Sequence, residues 1–175
     1  MFKLKTWAAA AAMVALAGTA QATLIDLGDG TVKDDVTNLI WLQNWNVNGQ
    51  QNWSTQKAWA ENLSFAGSSA WVLPSIGQYG TLFAEFGNLT QVSAFTNVLA
   101  SLYWSGTEFG PSGGLSAFIF FPDSGVQNDF FKVAQFFAVA VRPGDVAASV
   151  PEPQTLVLAL LALGATMVAR RRRPT

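Results

Sequence analysis

Between residues 23 and 147 apolar positions come in short runs, separated by Gly, Asn, Asp, Ser and Gln. Residues 23–25 alternate weakly and run into Gly28-Asp29-Gly30, where Asp-Gly supplies positive φ and predicts a hairpin turn. Thr31 and Val32 restart a strand, and Asp34-Asp35 with Thr37-Asn38 predicts a second turn. Leu39-Ile40-Trp41-Leu42 is apolar throughout, as a buried strand is. Residues 44–52 are rich in Asn, Gln and Gly and read as a loop. Ser54 is placed to cap a helix reaching about Leu63, with Ala58, Trp59 and Leu63 facing inward. Pro74 forces its predecessors Trp71-Val72-Leu73 to be extended, and Ser75-Ile76-Gly77-Gln78 fits a capping box that opens a second helix to about Phe86. A short third helix is predicted over residues 93–99. Strands then follow at 102–107, 115–121 and 135–142, with a turn at 122–128. Two main helices between an N-terminal hairpin and a C-terminal sheet make an α+β order, with no βαβ alternation and a mainly antiparallel sheet.

The two ends break this rhythm. Lys3 and Lys5 precede an uncharged run that begins at Thr6 and is apolar through Ala17, and Ala20-Gln21-Ala22 forms a small-x-small cleavage site. Basic start, short apolar core and cleavage site together make a signal peptide over residues 1–22, to be removed by signal peptidase. The alternative is an uncleaved N-terminal anchor, since no charge appears until Asp26. At the other end Pro151, Glu152 and Pro153 precede an apolar run from Leu156 to Ala169, which is followed by Arg170, Arg171, Arg172 and Arg173. The uncharged stretch 153–169 spans about 25 Å as a helix, a little short of a ~30 Å hydrocarbon core, and arginine snorkelling covers the difference. A transmembrane helix is therefore expected at about 155–169, with the arginines on the cytoplasmic side and the domain outside. The signal peptide demands the same topology.

This tail, residues 148–175, resembles the PEP-CTERM sorting signal of Gram-negative bacteria in its Pro151-Glu152-Pro153 motif, terminal helix and basic cluster. The resemblance implies recognition and cleavage by an exosortase. It further implies an intermediate anchored in the inner membrane and final delivery to the cell surface or extracellular matrix, often in bacteria that make exopolysaccharide, biofilm or floc. The alternative is a plain C-terminal anchor.

Charge changes the picture of the middle. The whole chain is near neutral at −1, but residues 23–147 carry only Lys33, Lys57, Lys132 and Arg142 against ten acids. An acidic domain excludes nucleic acid as a partner, because phosphate neutralisation needs Lys and Arg. The chain has no Cys and no His, which removes thiol catalysis, Ser-His-Asp triads and the usual zinc sites. Neither a metal nor another cofactor is called for.

Further motifs carry a second resemblance. Asp29-Gly30-Thr31-Val32-x-Asp34-x-x-Thr37-x-Leu39-x-Trp41, Trp71-x-Leu73-Pro74-Ser75, Tyr103-Trp104-Ser105-Gly106-Thr107-Glu108 and Val139-Ala140-Val141-Arg142 are similar, in order and spacing, to the bacterial Lcl C-terminal domain family. That resemblance implies a single C-type-lectin-like ectodomain over 23–147, two helices with a twisted sheet, and adhesion through sulfated or acidic polysaccharides. Val72 stands where the family usually has Arg, and the acidic charge argues against a polyanionic sugar. The calcium-binding motifs of true C-type lectins are absent, so calcium-dependent sugar binding does not carry over.

Trp41, Trp71 and Trp104 lie inside apolar or family motifs and are expected in the core. Trp45 and Trp53 flank the polar loop, and with Asn48 and Asn52 they are the candidate ligand-binding residues: indole faces cover the apolar sides of a sugar ring and amides pair with its hydroxyls. The competing reading is a structural loop whose tryptophans anchor it to the core. A glycosidase needs two carboxyl groups about 5 to 9.5 Å apart across a cleft, and nothing in the spacing of the acids points to such a pair. The leading function is thus an exported, non-catalytic surface or matrix protein that binds exopolysaccharide or matrix proteins; the alternative is an envelope enzyme that acts on glycans with carboxylates alone.

The tail generates the first prediction. The exported protein should lack residues before Thr23 and end close to Pro151-Glu152-Pro153. Intact-mass measurement of extracellular protein checks this, and mature material that still reaches Arg173 would overturn it.

Overall fold

The computed structural model describes residues 22–110 and 114–144. Ala20, the 151–153 motif, the expected span at 155–169 and the arginines at 170–173 lie outside these residues. Among the described residues no helix is long and apolar enough to cross a membrane.

Strands β1 (Leu24–Asp26), β2 (Thr31–Asp34) and β3 (Leu39–Leu42) form an antiparallel meander, and the C-terminal strand β7 (Val141–Pro143) pairs with β3 to complete a four-stranded sheet. The turns are the ones the Asp and Gly positions demand. Asp29 Oδ1 accepts from the backbone N–H of Thr31 at 3.1 Å and from its hydroxyl at 2.5 Å. Asp34, only 1% exposed, accepts from the N–H groups of Val36 and Thr37 and from the Thr37 hydroxyl, so a buried carboxylate is fully engaged in closing the β2–β3 turn. Ile40, Trp41 and Leu42 are all buried because β3 is a central strand covered on both faces.

Helix α1 (Trp53–Glu61) begins earlier than Ser54 suggests. Asn52 is the cap and accepts from Thr55 N–H at 2.9 Å, while the Ser54 hydroxyl donates to the same Asn52 oxygen. The earlier start rotates the buried face onto Trp53, Gln56 and Ala60; Ala58 is exposed, and Trp59 and Leu63 sit half-buried at the core's edge. Helix α2 (Ile76–Phe86) carries the expected capping box, with Gln78 N–H donating to Ser75 Oγ and Ser75 N–H donating back to Gln78 Oε1. Gly80 within this helix marks a close approach, since a Cβ there would lie 2.9 Å from the Gln127 side chain.

The third helix predicted at 93–99 does not form. A short 3-10 turn at Leu89–Gln91 stands before it. The backbone at Thr96 instead bridges to the chain beyond β3: Thr96 N–H donates to Gln43 O, and Trp45 N–H donates to Thr96 O. Ser, Thr, Asn and Val populate this segment, so helix propensity is too weak to resist that pairing.

A second, three-stranded antiparallel sheet contains β4 (Tyr103–Phe109), β5 (Ser116–Phe120) and β6 (Gln127–Phe131). The strands thus divide into two sheets. The β5–β6 turn closes by Val126, so β6 occupies residues expected partly in that turn. Of the run 135–142 only the end is ladder strand. Its earlier part is an extended segment between the sheets, bridging Gln51 through Phe136 and Tyr103 through Phe137, with Ala140 O accepting from Leu42 N–H.

Trp41, Trp71 and Trp104 are buried as expected. Trp104 lies against Phe136 with ring centroids 5.0 Å apart, and its indole N–H donates to Gln51 O. Replacing Trp104 by Ala should lower unfolding free energy by about 3–5 kcal/mol, the cost of deleting a buried aromatic. Urea unfolding of the exported protein measures it; a change within experimental error would place the ring outside the core.

Candidate functional site

The polar loop at 44–52 is stapled to the domain along its length. Trp45 is fully buried, its ring against Trp41, Tyr79, Phe95 and Tyr103 at 5.2 to 6.1 Å between centroids. Asn48 donates to Gln56 Oε1 at 2.9 Å, and Gln56 Nε2 donates to both Gly49 O and Phe136 O. Gln51 and Phe136 exchange two backbone hydrogen bonds. Trp53 is 7% exposed, its indole N–H donates to Ser105 O at 2.8 Å, and Lys132 Nζ lies 4.4 Å from its ring.

This corrects the reading of Trp45, Asn48, Asn52 and Trp53 as a sugar-stacking set. Trp45 presents no ring face to solvent. Trp53 offers almost none, and a lysine occupies its flank. Asn48 braces Gln56, and Asn52 caps α1. The physical reason is area. Burying an indole of about 150–250 Å² contributes roughly 4–6 kcal/mol. That exceeds the roughly 1–3 kcal/mol cost of leaving the Trp45 N–H without an acceptor. A loop with two tryptophans at its ends is pulled inward by both.

Beside the loop the structure opens a groove of about 240 Å³, lined by Gly30, Leu42, Gln43, Asn44, Val47, Leu63 and Phe65. The β1–β2 turn supplies Gly30, the end of β3 supplies Leu42, and the chain after α1 supplies Leu63 and Phe65. Phe65 is presented on a two-residue turn: Phe65 and Ser68 exchange backbone hydrogen bonds at 3.0 Å, and Ala66 and Gly67 both have positive φ. Its carbonyl accepts from the Trp71 indole, so the turn is tied to the core while the ring remains 39% exposed. Val47 is 52% exposed at the loop tip.

Polar groups frame this apolar floor. Gln43 donates to Asp26 Oδ2 at 2.9 Å and to Ala94 O at 3.3 Å. Asn44 Oδ1 accepts from Asn46 N–H and from Asn97 Nδ2. Asp26 has its other oxygen on Gly28 N–H. Asp26 is thus held as an acceptor on both oxygens, and the groove lining itself carries no carboxylate. Gln43 Nε2 and Asn44 Oδ1 are thus engaged within the protein, which leaves Gln43 Oε1 as an acceptor and Asn44 Nδ2 as a donor beside the apolar floor. Among the described residues no group of three or more His, Cys, Asp or Glu is placed to hold a metal ion.

Sequence reading reached this lining only through the polar loop, which holds Asn44 and Val47; Gly30, Leu42, Gln43, Leu63 and Phe65 were assigned to no site. The available signal was Phe65-Ala66-Gly67, an aromatic side chain next to turn residues, where burial is hard to achieve. Gly30 was legible only as a turn. A Cβ at Gly30 would lie 2.9 Å from Phe65 Cζ, so its lack of a side chain also makes room for the ring.

The titratable groups with displaced pKa values belong to other parts of the fold. Burial pushes the phenols of Tyr79 and Tyr103 up. The Glu85 carboxyl is raised by burial and by the neighbouring carboxylates of Asp34 and Asp35.

An α+β ectodomain followed by a short basic-ended tail defines an exported protein made of a domain and a sorting tail. The model of the Lcl C-terminal domain matches residues 30–142, well over half of the chain, and the chain belongs to that family. The model of the PEP-CTERM protein-sorting motif matches residues 149–173. The motif makes this an exported protein, transiently membrane-anchored, with exosortase as its processing partner. No curated protein matches the chain.

Gly30→Ala tests the geometry of the groove. Positive φ at 84° and the contact with Phe65 should together cost about 1–3 kcal/mol and displace the ring. Thermal unfolding and the near-ultraviolet circular dichroism spectrum measure the two effects.

Proposed function

We propose that the protein is a non-catalytic binding component of the cell surface or extracellular matrix, released there by exosortase, and that it engages neutral polysaccharide or matrix protein in biofilm or floc. On this reading the domain is lectin-like. Its two helices and antiparallel sheets support that likeness, and the binding face is the groove beside Phe65 rather than the tryptophan-bounded loop.

The observation that carries the reading is the groove's chemistry: Phe65, Leu42, Leu63 and Val47 form an apolar floor beside the amides of Gln43 and Asn44. A sugar ring needs both, an apolar contact for its C–H face and donor–acceptor groups for its hydroxyls. At about 240 Å³ the groove is smaller than the ~300–1,000 Å³ of most ligand pockets, which suits one unit of a long polymer better than an enclosed small molecule. Avidity over many domains in a matrix would then supply strength that a single site lacks. The acidic charge of the domain disfavours sulfated or uronic polymers, and added salt would reduce that repulsion.

The test is retention on immobilised neutral glycans and on the producing bacterium's exopolysaccharide. Phe65→Ala should weaken retention by roughly 3- to 10-fold, the worth of one aromatic contact, and Val47→Asp should weaken it further. Unchanged retention in both variants, with folding intact, would remove the groove as the site. Shortened glycan products after incubation would move the protein to the carboxylate-enzyme class instead.

A further inference from the structure

Leu24, Asp34, Leu39 and Pro143 face one another in successive strand pairs, so they form one row across the four-stranded sheet. Thr23 enters the sheet at this row and Gly144 leaves it there. At about 4.8 Å per strand the two ends are roughly 14 Å apart. The domain is therefore suspended from both of its targeting segments at one end.

That end is acidic. Asp34 and Asp35 close the β2–β3 turn, and Glu85 of α2 lies near enough for both carboxylates to act on it. The Thr23 backbone nitrogen donates to Asp35 Oδ1 at 2.7 Å, and Asp35 N–H donates back to Thr23 O at 3.2 Å. In an uncut precursor the Thr23 nitrogen is a neutral amide. Hydrolysis between Ala22 and Thr23 adds water across that bond: Ala22 leaves as a carboxylate and the Thr23 nitrogen takes up protons to become an α-ammonium.

We propose that signal-peptide removal sets this new α-ammonium on the Asp35 carboxylate, and that the resulting ion pair fastens β1 to the mature domain and guards its N-terminus. The proposal rests on cleavage after Ala22. Strand β1 is otherwise held by its ladder with β2, the Gln43–Asp26 hydrogen bond and the half-buried Leu24. It is an edge strand of three residues, with Leu24 half-buried and Ile25 and Asp26 exposed. The charged groups around the site are Asp35 in direct contact, Asp34 beside it on β2, Glu85 from α2 and Lys33 opposite Ile25. Three carboxylates against one lysine favour a cation there, where a neutral amide gains only a hydrogen bond. An aminopeptidase must grip the α-ammonium and the first extended residues, and here both are engaged in the sheet.

The sign of the pH effect follows. An amine paired with a carboxylate titrates above the ~7.7–8.0 of a free α-amine. Its contribution to stability is complete below that free value and is lost as pH rises through the higher folded value.

The experiment uses protein purified after export, with its first residue fixed by intact mass. A first residue other than Thr23 would sink the cleavage reading, and this proposal with it. With Thr23 first, ¹³C-dimethylation makes the α-amine visible by NMR, apart from the lysines. It should titrate at least ~0.5 unit higher folded than in urea. Asp35→Asn should abolish that difference. A Gly inserted between Ala22 and Thr23 moves the ammonium by about 3.8 Å; it should do the same and should speed aminopeptidase trimming several-fold. A Thr23 amine that titrates identically folded and unfolded, or whose shift survives in both variants, would overturn the ion pair while leaving the cleavage reading intact.

Discussion

Trp45 is where the parts of this domain meet. Its indole touches Trp41 of the first sheet, Tyr79 of α2, Phe95 of the connecting segment and Tyr103 of the second sheet. Two small sheets and two short helices have no large continuous interface of their own. The four-stranded sheet has strands of three or four residues, and an isolated sheet of that size has little to stabilise it. A rigid, flat ring contacting both sheets and α2 is the most economical filler of the space between them, because it fixes their spacing with only two side-chain torsions. Tyr79 stacked on Phe120 at 4.6 Å extends the same packing to the second sheet's inner face.

The polar loop follows from that constraint. Once Trp45 and Trp53 are both drawn inward, residues 46–52 must run over the surface between two fixed points. Their backbone groups then need partners. Gln56 answers from α1, and Phe136 answers from the segment linking the sheets, through backbone bonds to Gln51. Three of the loop's side-chain amides, those of Asn44, Asn48 and Asn52, are therefore engaged within the protein. Asn46, Val47 and Gln50 stay exposed, and Val47 overlooks the Phe65 turn together with the half-buried Asn44.

The ends of the domain obey a separate logic. Antiparallel pairing of β1 with β2, β2 with β3, and β3 with β7 brings both exits to one row, beside a turn built on Asp34 and Asp35. The groove lies around Gly30 and Leu42, at the opposite ends of β2 and β3 from that row. The groove end of the sheet therefore lies opposite the end at which Thr23 and Gly144 sit.

Local pattern was enough to read the sorting tail, the family motifs, the α+β order, the Ser75–Gln78 capping box and the buried state of Trp41, Trp71 and Trp104. Each of these rests on local pattern or fixed spacing, which needs no knowledge of distant contacts. Only contacts across the fold decided that residues 93–99 form no helix, since Thr96 pairs with Gln43. They also decided that 127–131 joins β5 as a strand and that Trp45 and Trp53 serve the core. The groove belongs to the same category. Gly30, Leu42, Asn44 and Phe65 come from four separate stretches of chain, and no periodicity relates them. A tryptophan beside a polar loop reads the same whether its ring faces sugar or core; only the apolar partners that surround it in space settle which, and here Tyr79, Phe95 and Tyr103 surround Trp45.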